Sequence, residues 1–219
     1  MRVLILGGTG PSGILLIEEA LSAKHVVVVY ARNPQKLPEH LRTHPDVTIV
    51  KGELEDAESL DAALAGGTDA VLSALGPFLF RYPPGTPIAV GYRSVLAAMR
   101  RAGVRRLLAL GTPSIADEND KASLVYSAMV AAVAFTARSA YKDIVAVGEV
   151  IRACDDMEWT IVRVPALKND QNREVLVGYI GDGGAGDRYT LARLGFAVFM
   201  LQELEKGEWI KRAPLITSA

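Results

Sequence analysis

The sequence predicts an α/β fold, a doubly wound parallel sheet with helices on both faces, in a single domain spanning residues 1–219. Three observations carry this expectation. Short runs rich in β-branched residues alternate with helix-length amphipathic runs, the pattern of strands joined by crossover helices. The first run, Arg2 to Leu6, is apolar without alternation, as in a strand buried on both faces. The turn after it is rich in glycine and leads directly into a helical run.

Each element follows in order. Ser12 to Ala23 reads as a helix with Ile14, Leu15, Ile17 and Leu21 on one side and Glu18, Glu19 and Lys24 toward water. Val26 to Tyr30 is the second strand, punctuated by Asn33-Pro34, and Val47 to Val50 is the third. A helix with Leu60 and Leu64 inward ends at Gly66-Gly67, and Asp69 to Leu75 is the fourth strand. Gly76 to Pro87 is a loop rich in proline and glycine, Ile88 to Ala102 is helical, and Gly103 ends that helix before a fifth strand at Arg105 to Leu110. Ser123 to Arg152 is mostly helical, in one or two pieces, and Trp159 to Arg163 is the sixth strand. A short strand near Val175 to Tyr179, a glycine-rich turn, a helix over Leu191 to Glu205 and an edge strand at Pro214 to Thr217 complete the chain. The sequence shows no repeat and no linker.

Composition narrows the function classes. The 24 basic residues nearly cancel the 25 acidic ones, so no global field draws the protein to nucleic acid or an anionic membrane. The Arg100-Arg101 and Arg105-Arg106 cluster reads as a solvated helix end, with few aromatics nearby for base stacking. One cysteine, Cys154, allows no internal disulfide. His25, His40 and His44 pair with no plausible metal ligand or nucleophile, so no metal is expected. The longest apolar stretch, Ala122 to Ala137, carries Ser123, Tyr126, Ser127 and Thr136 and falls short of the ~20 apolar residues of a spanning helix. It reads as a buried or subunit-facing helix, which makes a homodimer through residues 122–137 an expectation and a membrane-surface contact the alternative. The first strand begins almost at once, leaving no room for a signal peptide, so a cytoplasmic location is expected.

The glycine turn carries the chemistry. Gly7, Gly10 and Gly13 leave a buried strand and open a helix. Such a turn needs one residue without Cβ for the bend, one for backbone approach to a pyrophosphate, and one for close packing of helix on sheet. The helix N-terminus then offers free N–H groups and partial positive charge to a diphosphate. Thr9, Pro11, Ser12 and Ile14 complete the turn, and the Ser12 hydroxyl can donate to a phosphate or cap the helix. These features predict a dinucleotide site on a Rossmann-like sheet.

The spacing is G-x-x-G-x-x-G, and with Gly7-Gly8-Thr9-Gly10 at its front it resembles the extended and atypical short-chain dehydrogenase/reductase superfamily, most closely its NmrA-like and biliverdin-reductase-B-like branch. Further segments resemble that branch in the same order along almost the whole chain. Gly52-Glu53-Leu54-Glu55-Asp56 resembles its G-D-L-x-D loop near the adenine, and Ser73-Ala74-Leu75-Gly76 its fourth-strand loop along the cofactor. Trp159 to Pro165 resembles its W/Y-T-I-x-R-P strand, which ends beside the nicotinamide. Thr190 to Ala197 resembles its S-R-x-D-x-A helix start, with Gly195 in place of the expected Asp. The resemblance implies that Glu53 and Leu54 line the adenine, that Ala74, Leu75 and Gly76 flank the ribose, and that Thr112, Pro165 and Ala166 lie toward the nicotinamide. It divides the chain into a cofactor half, about residues 1–115, and substrate-side elements at about 76–90, 113–145 and 165–190.

An NAD-preferring site places an acid at the end of the second strand, for the ribose hydroxyls. Here that end reads Tyr30-Ala31-Arg32-Asn33, with Lys36 one turn on. An arginine at this place can pair with a 2′-phosphate, which an acid would repel. The expected cofactor is therefore NADP(H), held by Arg32 with Asn33 and Lys36, although Lys36 and even Arg32 also read as solvated charges.

Catalysis is less legible. Standard short-chain reductases use a Tyr-x-x-x-Lys pair, the lysine lowering the tyrosine pKa for proton transfer. This chain has none: Val130 follows Tyr126 and Val145 follows Tyr141 at that spacing. The Lys-x-x-x-Glu signature of the resembling branch is also missing, since Glu149 is preceded by Val145. The candidates are Ser114, a substrate contact or a turn residue; Tyr126, an acid or a core residue; Tyr141; and Lys142, which is catalytic or paired on the surface with Glu149. Thr112 stands beside Ser114 at the tip of the fifth strand. Members of the biliverdin-reductase-B-like branch reduce their acceptors without the tyrosine pair.

The resulting expectation is an NADP(H)-dependent oxidoreductase exchanging hydride with a small carbonyl, quinone, flavin or conjugated substrate, apolar or aromatic in character. The loop holding Phe78, Phe80 and Tyr82 and the segments after Ser114 and Pro165 would wall the substrate. The alternatives are a non-catalytic NADP(H)-sensing regulatory protein and a cofactor-assisted isomerase, epimerase or dehydratase.

Overall fold

A computed structural model describes residues 1–77 and 82–219. The expected walls at Phe78 and Phe80 lie outside the described residues. The chain runs β1 (Arg2–Leu6), α1 (Pro11–Ser22), β2 (Val26–Ala31), a 3-10 turn (Pro34–Lys36), α2 (Glu39–Arg42), β3 (Val47–Lys51), α3 (Ala57–Leu64), β4 (Ala70–Ser73), α4 (Pro87–Ala102) and β5 (Arg106–Gly111). It continues with α5 (Leu124–Thr136), α6 (Arg138–Arg152), β6 (Glu158–Arg163), β7 (Ala166–Lys168), β8 (Val175–Gly178), β9 (Thr190–Ala192), α7 (Arg193–Lys206) and β10 (Leu215–Ser218).

The main sheet has the order β3-β2-β1-β4-β5-β6-β10-β8. Its pairings are parallel except the last, in which β8 runs antiparallel to β10 with Leu215 opposite Gly178. Leu4 lies level with Val28 on one side and Val71 on the other, so the strands are in register at the centre. Alternate residues of each strand serve opposite faces. Leu4, Val28, Val71, Leu107 and Ile161 pack under α3, α4 and α6, whereas Val3, Val27, Leu72, Leu108 and Val162 pack under α1 and α7. Both faces are covered, which is why β1 carries no polar alternation.

Several expectations are revised. The last strand is interior, between β6 and β10's antiparallel neighbour β8, and β8 is the edge. Its apolar Leu215-Ile216 pair is buried accordingly. α1 buries Leu16, Ile17 and Ala20, with Ile14, Leu15 and Leu21 only partly covered, because α7 packs beside it and rotates the buried face. The 123–152 run, expected in one or two pieces, is two helices, α5 and α6, bent by 118° about Ala137, which agrees with the second of those expectations. A two-stranded parallel sheet, β7 with β9, was not visible in the sequence, since three-residue strands leave no periodicity to read. Among the described residues no single helix is long and apolar enough to cross a membrane.

Candidate functional site

The sheet order reverses between β1 and β4, and the carboxyl ends of those strands open the crevice in which such sheets bind ligands. The glycine turn sits there. Gly7 has φ +73°, and a Cβ on it would lie 2.9 Å from the Ala74 carbonyl carbon, so the turn presses edge-on against the loop after β4. A Cβ on Gly13 would lie 2.2 Å from the Gly7 carbonyl oxygen, so helix and turn touch backbone to backbone. Gly10 differs: its nearest neighbour would be that same oxygen at 3.5 Å. The space beside Gly10 is open.

The hydrogen bonds around α1 show which donors face that space. The Gly10 amide donates to the Gly7 carbonyl at 3.1 Å, and the Ile14 amide donates to the Gly10 carbonyl at 2.9 Å. Pro11, at the first helical position, has no N–H. The amides of Ser12 and Gly13 are left as the orphan donors of the helix start. No acid stands in the first turn to neutralise them. Two unbonded donors at a helix N-terminus, with no acid beside them, are the kind of arrangement that accepts an anion.

Side chains pin the neighbouring loops. The Tyr30 hydroxyl donates to the Glu53 carbonyl at 2.7 Å, tying the loop after β3 to the end of β2. Burial, with Asp56 and Glu53 nearby, pushes the Tyr30 phenol up to about 12, so it remains a donor at neutral pH. Leu54 packs on α4 at Gly91, where a Cβ would come within 2.6 Å of the Leu54 Cβ. The Tyr92 hydroxyl donates to Ser73 Oγ at 2.6 Å, and that oxygen accepts the Leu75 amide at 3.3 Å, fixing the Ala74-Leu75-Gly76 segment. Arg32, Asn33 and Lys36 are exposed, and no ion pair of the described residues engages Arg32 or Lys36. The cofactor residues inferred from the sequence therefore lie on the carboxyl ends of β1 to β6 and the loops that follow them. Open space at Gly10 and, among the described residues, two unbonded amides and an unpaired guanidinium one strand away suit an anionic dinucleotide.

The catalytic candidates separate. Thr112 closes a tight turn after β5, its Oγ1 accepting the Ser114 amide at 3.3 Å and its carbonyl accepting the Ile115 amide at 3.0 Å. Ser114 is half-buried in that turn. Tyr126 is 1% exposed, and its hydroxyl donates to the Arg188 carbonyl. Burial, with Tyr189 alongside, pushes that phenol up to about 12. Tyr141 is half-buried in the first turn of α6, and Lys142 beside it is exposed. Lys142 and Glu149 do not appear among the ion pairs of the described residues.

Two residues to which sequence reasoning gave no role tie α4, α6 and the loops after β5 and β8 together. Asp143 is fully buried and accepts the Tyr82 hydroxyl at 2.5 Å and the Ile88 and Ala89 amides at 2.9 Å each. α4 is thus capped by a carboxylate from α6, and Tyr82 is held at the mouth of the loop. The signal was present: Asp143 interrupts the buried Ala140, Ile144, Val147 and Ile151 stripe of its helix. Arg163, fully buried at the end of β6, donates to both Asp120 carboxylate oxygens at 2.6 and 2.7 Å and to the Ile115 and Ala213 carbonyls. Asp120 also accepts the Ile180 amide at 3.0 Å, so the loop after β5 and the loop after β8 hang on one ion pair. Although burial pushes Asp120 up, the Arg163 guanidinium and these hydrogen bonds prevail and hold it below the usual carboxylate range.

The basic cluster divides: Arg100 and Arg101 stay at the exposed end of α4 as expected, whereas Arg106, expected to be solvated with them, is buried at the start of β5. Arg100 pairs with Asp156, Arg101 with Asp61, and Arg106 with the buried Glu203.

Comparison with known proteins agrees with this fold. A short-chain dehydrogenase/reductase of Veillonella parvula in complex with NADP superposes with a TM-score of 0.79 at 16% identity, over 99% of this chain and 94% of that one. The anaerobillin reductase ChuY of Escherichia coli O157:H7 superposes with a TM-score of 0.74 at 16% identity, over 100% and 97% of the two chains. At such identities the likeness is one of fold. A 3-beta-hydroxysteroid dehydrogenase of Mycolicibacterium neoaurum is 28% identical over 123 residues, 52% of this chain and 32% of that protein, so the match spans about a third of the relative's length. A family model described as NAD(P)H-binding matches residues 7–206, from the first glycine of the turn to the end of α7. The chain belongs to that NAD(P)H-binding family.

Proposed function

We propose that the protein is an NADP(H)-dependent oxidoreductase of the atypical short-chain, NmrA-like type, acting on a small apolar or aromatic carbonyl, quinone, flavin or conjugated substrate. The observation that carries the choice of cofactor is the exposed Arg32 just after β2, in no ion pair among the described residues, where an NAD site would offer an acid. Its planar guanidinium suits bidentate pairing with a 2′-phosphate. The Gly7–Gly13 turn holds the pyrophosphate through the Ser12 and Gly13 amides, with Thr9, Pro11 and Ile14 shaping it. Asn33 and Lys36 border the 2′-phosphate, Glu53 and Leu54 the adenine, Ala74 to Gly76 the ribose, and Thr112, Pro165 and Ala166 the nicotinamide. When bound, the cofactor supplies or accepts the hydride.

The chain's own residues position the acceptor. Ser114 offers a hydroxyl at the tip of β5, Tyr141 is the first choice for moving a proton, and Lys142 stands beside it with no partner at the classical spacing. Tyr126, tied to the Arg188 carbonyl, serves the fold in this reading. The missing Tyr-x-x-x-Lys pair favours one rival, a protein that binds NADP(H) and signals its redox state without turnover.

Incubation with NADPH and a panel of quinones, flavins and aldehydes, followed at the reduced-cofactor absorbance, tests the reading. Oxidation of NADPH with at least one acceptor is expected; tight binding with no turnover would replace the reductase with the sensor. Arg32→Ala is expected to weaken NADPH by roughly 10- to 100-fold, the loss of a charge-assisted contact, and to leave NADH unchanged. Equal NADPH and NADH affinity in the unaltered protein would overturn the cofactor choice.

A further inference from the structure

The stretch between β8 and β9 is held by one fully buried tyrosine. Tyr126, near the start of α5, is 1% exposed, and its hydroxyl donates to the Arg188 carbonyl. The next residue, Tyr189, lays its ring against that of Tyr126, with centroids 5.3 Å apart and planes tilted by 53°. Aromatic pairs at such distances attract beyond the area they bury. The stretch is fixed elsewhere too. The Lys121 amide donates to the Ile180 carbonyl at 2.8 Å. Asp182 accepts the Tyr179 amide at 2.8 Å, the Gly184 amide at 2.9 Å and the Gly186 amide at 3.0 Å.

These contacts stand at the carboxyl end of β6. The Ala166 amide donates to the Tyr189 carbonyl at 3.3 Å, and Thr190 pairs with Ala166 where β9 joins β7. Leu215, which packs with Tyr126, lies level with Arg163, the last residue of β6. Tyr189 is thus one backbone hydrogen bond from the Pro165-Ala166 segment to which the nicotinamide is assigned above. Tyr126 is fully buried, but Tyr189 is only half-buried and keeps part of its surface open. A ring already set in place by a buried neighbour loses little further freedom when a flat ligand stacks on it.

We propose that Tyr189 is a specificity-determining residue of the acceptor site, its ring forming a wall on which a planar conjugated acceptor stacks in preference to an aliphatic carbonyl. An aliphatic carbonyl offers no ring face, so it gains none of the stacking attraction. Tyr126 acts behind this wall, holding both the ring and the Arg188 backbone. The inference rests on the NADP(H) reading of the site and narrows its substrate class.

Equilibrium dialysis of duroquinone against the full chain saturated with NADP+ tests it. The oxidised cofactor fills its site without reducing the probe, and the fully substituted quinone ring adds no thiol. Duroquinone should bind the original chain. Tyr189→Leu, which keeps apolar bulk but removes the ring, should weaken that binding about fivefold, the loss of one ring stack, at an unchanged thermal midpoint. Tyr189→Phe, which keeps the ring, should bind within about twofold of the original. Hexanal, dialysed in the same way, should show no difference among the three chains.

Equal duroquinone binding by the original chain and Tyr189→Leu would overturn the role of Tyr189 and leave the cofactor reading standing. So would a loss in Tyr189→Phe as large as in Tyr189→Leu, or a loss of hexanal binding to match that of duroquinone. A thermal midpoint lowered by several degrees in Tyr189→Leu would assign the ring to packing on Tyr126 and overturn it as well. No duroquinone binding by the NADP+-loaded original chain would overturn the planar class, whereas no NADP+ binding would overturn the cofactor reading and this inference together.

Discussion

A methyl group at Gly13 would stand 2.2 Å from the Gly7 carbonyl oxygen, but at Gly10 the same oxygen would be 3.5 Å away. The two glycines therefore serve different needs, one internal to the fold and one facing the crevice. Gly13→Ala should force helix and turn apart and lower stability by about 1–3 kcal/mol, the usual range for overpacking. Gly10→Ala keeps an allowed backbone, φ −88° and ψ 164°, and should cost less than about 1 kcal/mol for the poorer helix cap. Thermal unfolding of the two variants side by side checks the distinction. The turn itself was legible from spacing alone, because tight turns leave few residue types to choose from. Asp143 was less so: its place in an apolar stripe marked it as odd, but nothing in the sequence said that its partners would be Tyr82 and the start of α4.

Two carboxylates, Asp143 and Asp120, hold the α4 N-terminus and the loops after β5 and β8 in place. Asp143→Ala removes three hydrogen bonds from a buried acceptor and leaves the Ile88 and Ala89 amides without partners, a loss of about 3 kcal/mol or more. Hydrogen exchange should then rise first at the α4 N-terminus; protection unchanged there would remove Asp143 from its capping role. The Asp120–Arg163 pair adds a pH dependence. Asp120 titrates lower in the fold than in the unfolded chain, so its contribution is fully present above the unfolded value near 4 and is lost as pH falls through the lower folded value. Asp120→Asn should therefore be less stable than the original chain at pH 7, by about 3 kcal/mol for a buried guanidinium left unpaired, and the gap should close in acid. Chemical denaturation from neutral to acidic pH reads this directly. The strands themselves followed from β-branched runs, whereas the Arg163 contacts join residues 43 and 48 positions apart, which local pattern does not encode.

Across the whole molecule, the two edges of the sheet divide the labour. The carboxyl edge carries the glycine turn and the loops that follow β2 to β6. The amino edge is fastened by Arg106 at the start of β5, which donates to Glu203 Oε1 at 2.7 Å and to Thr160 Oγ1 at 2.8 Å, while Glu203 also accepts the Trp209 amide at 3.0 Å. Glu203→Ala leaves the guanidinium buried without its partner and should cost about 3–5 kcal/mol. Its NADPH affinity, measured below the lowered melting temperature, should be unchanged, because the pair lies at the opposite end of the strands from the turn. The parallel order of the first six strands was readable from the alternation of strand and helix signals. The interior place of β10 was not, since a short terminal strand gives no sign of which neighbour it will find. Whether the Gly7–Gly13 turn binds NADP(H) is read by calorimetric titration of NADPH into the original chain and into folded Gly10→Ala. Binding by the original chain and a loss of at least tenfold in Gly10→Ala, with little change in thermal midpoint, is the predicted result; no NADPH binding by the original chain, or equal binding by the variant, would contradict it.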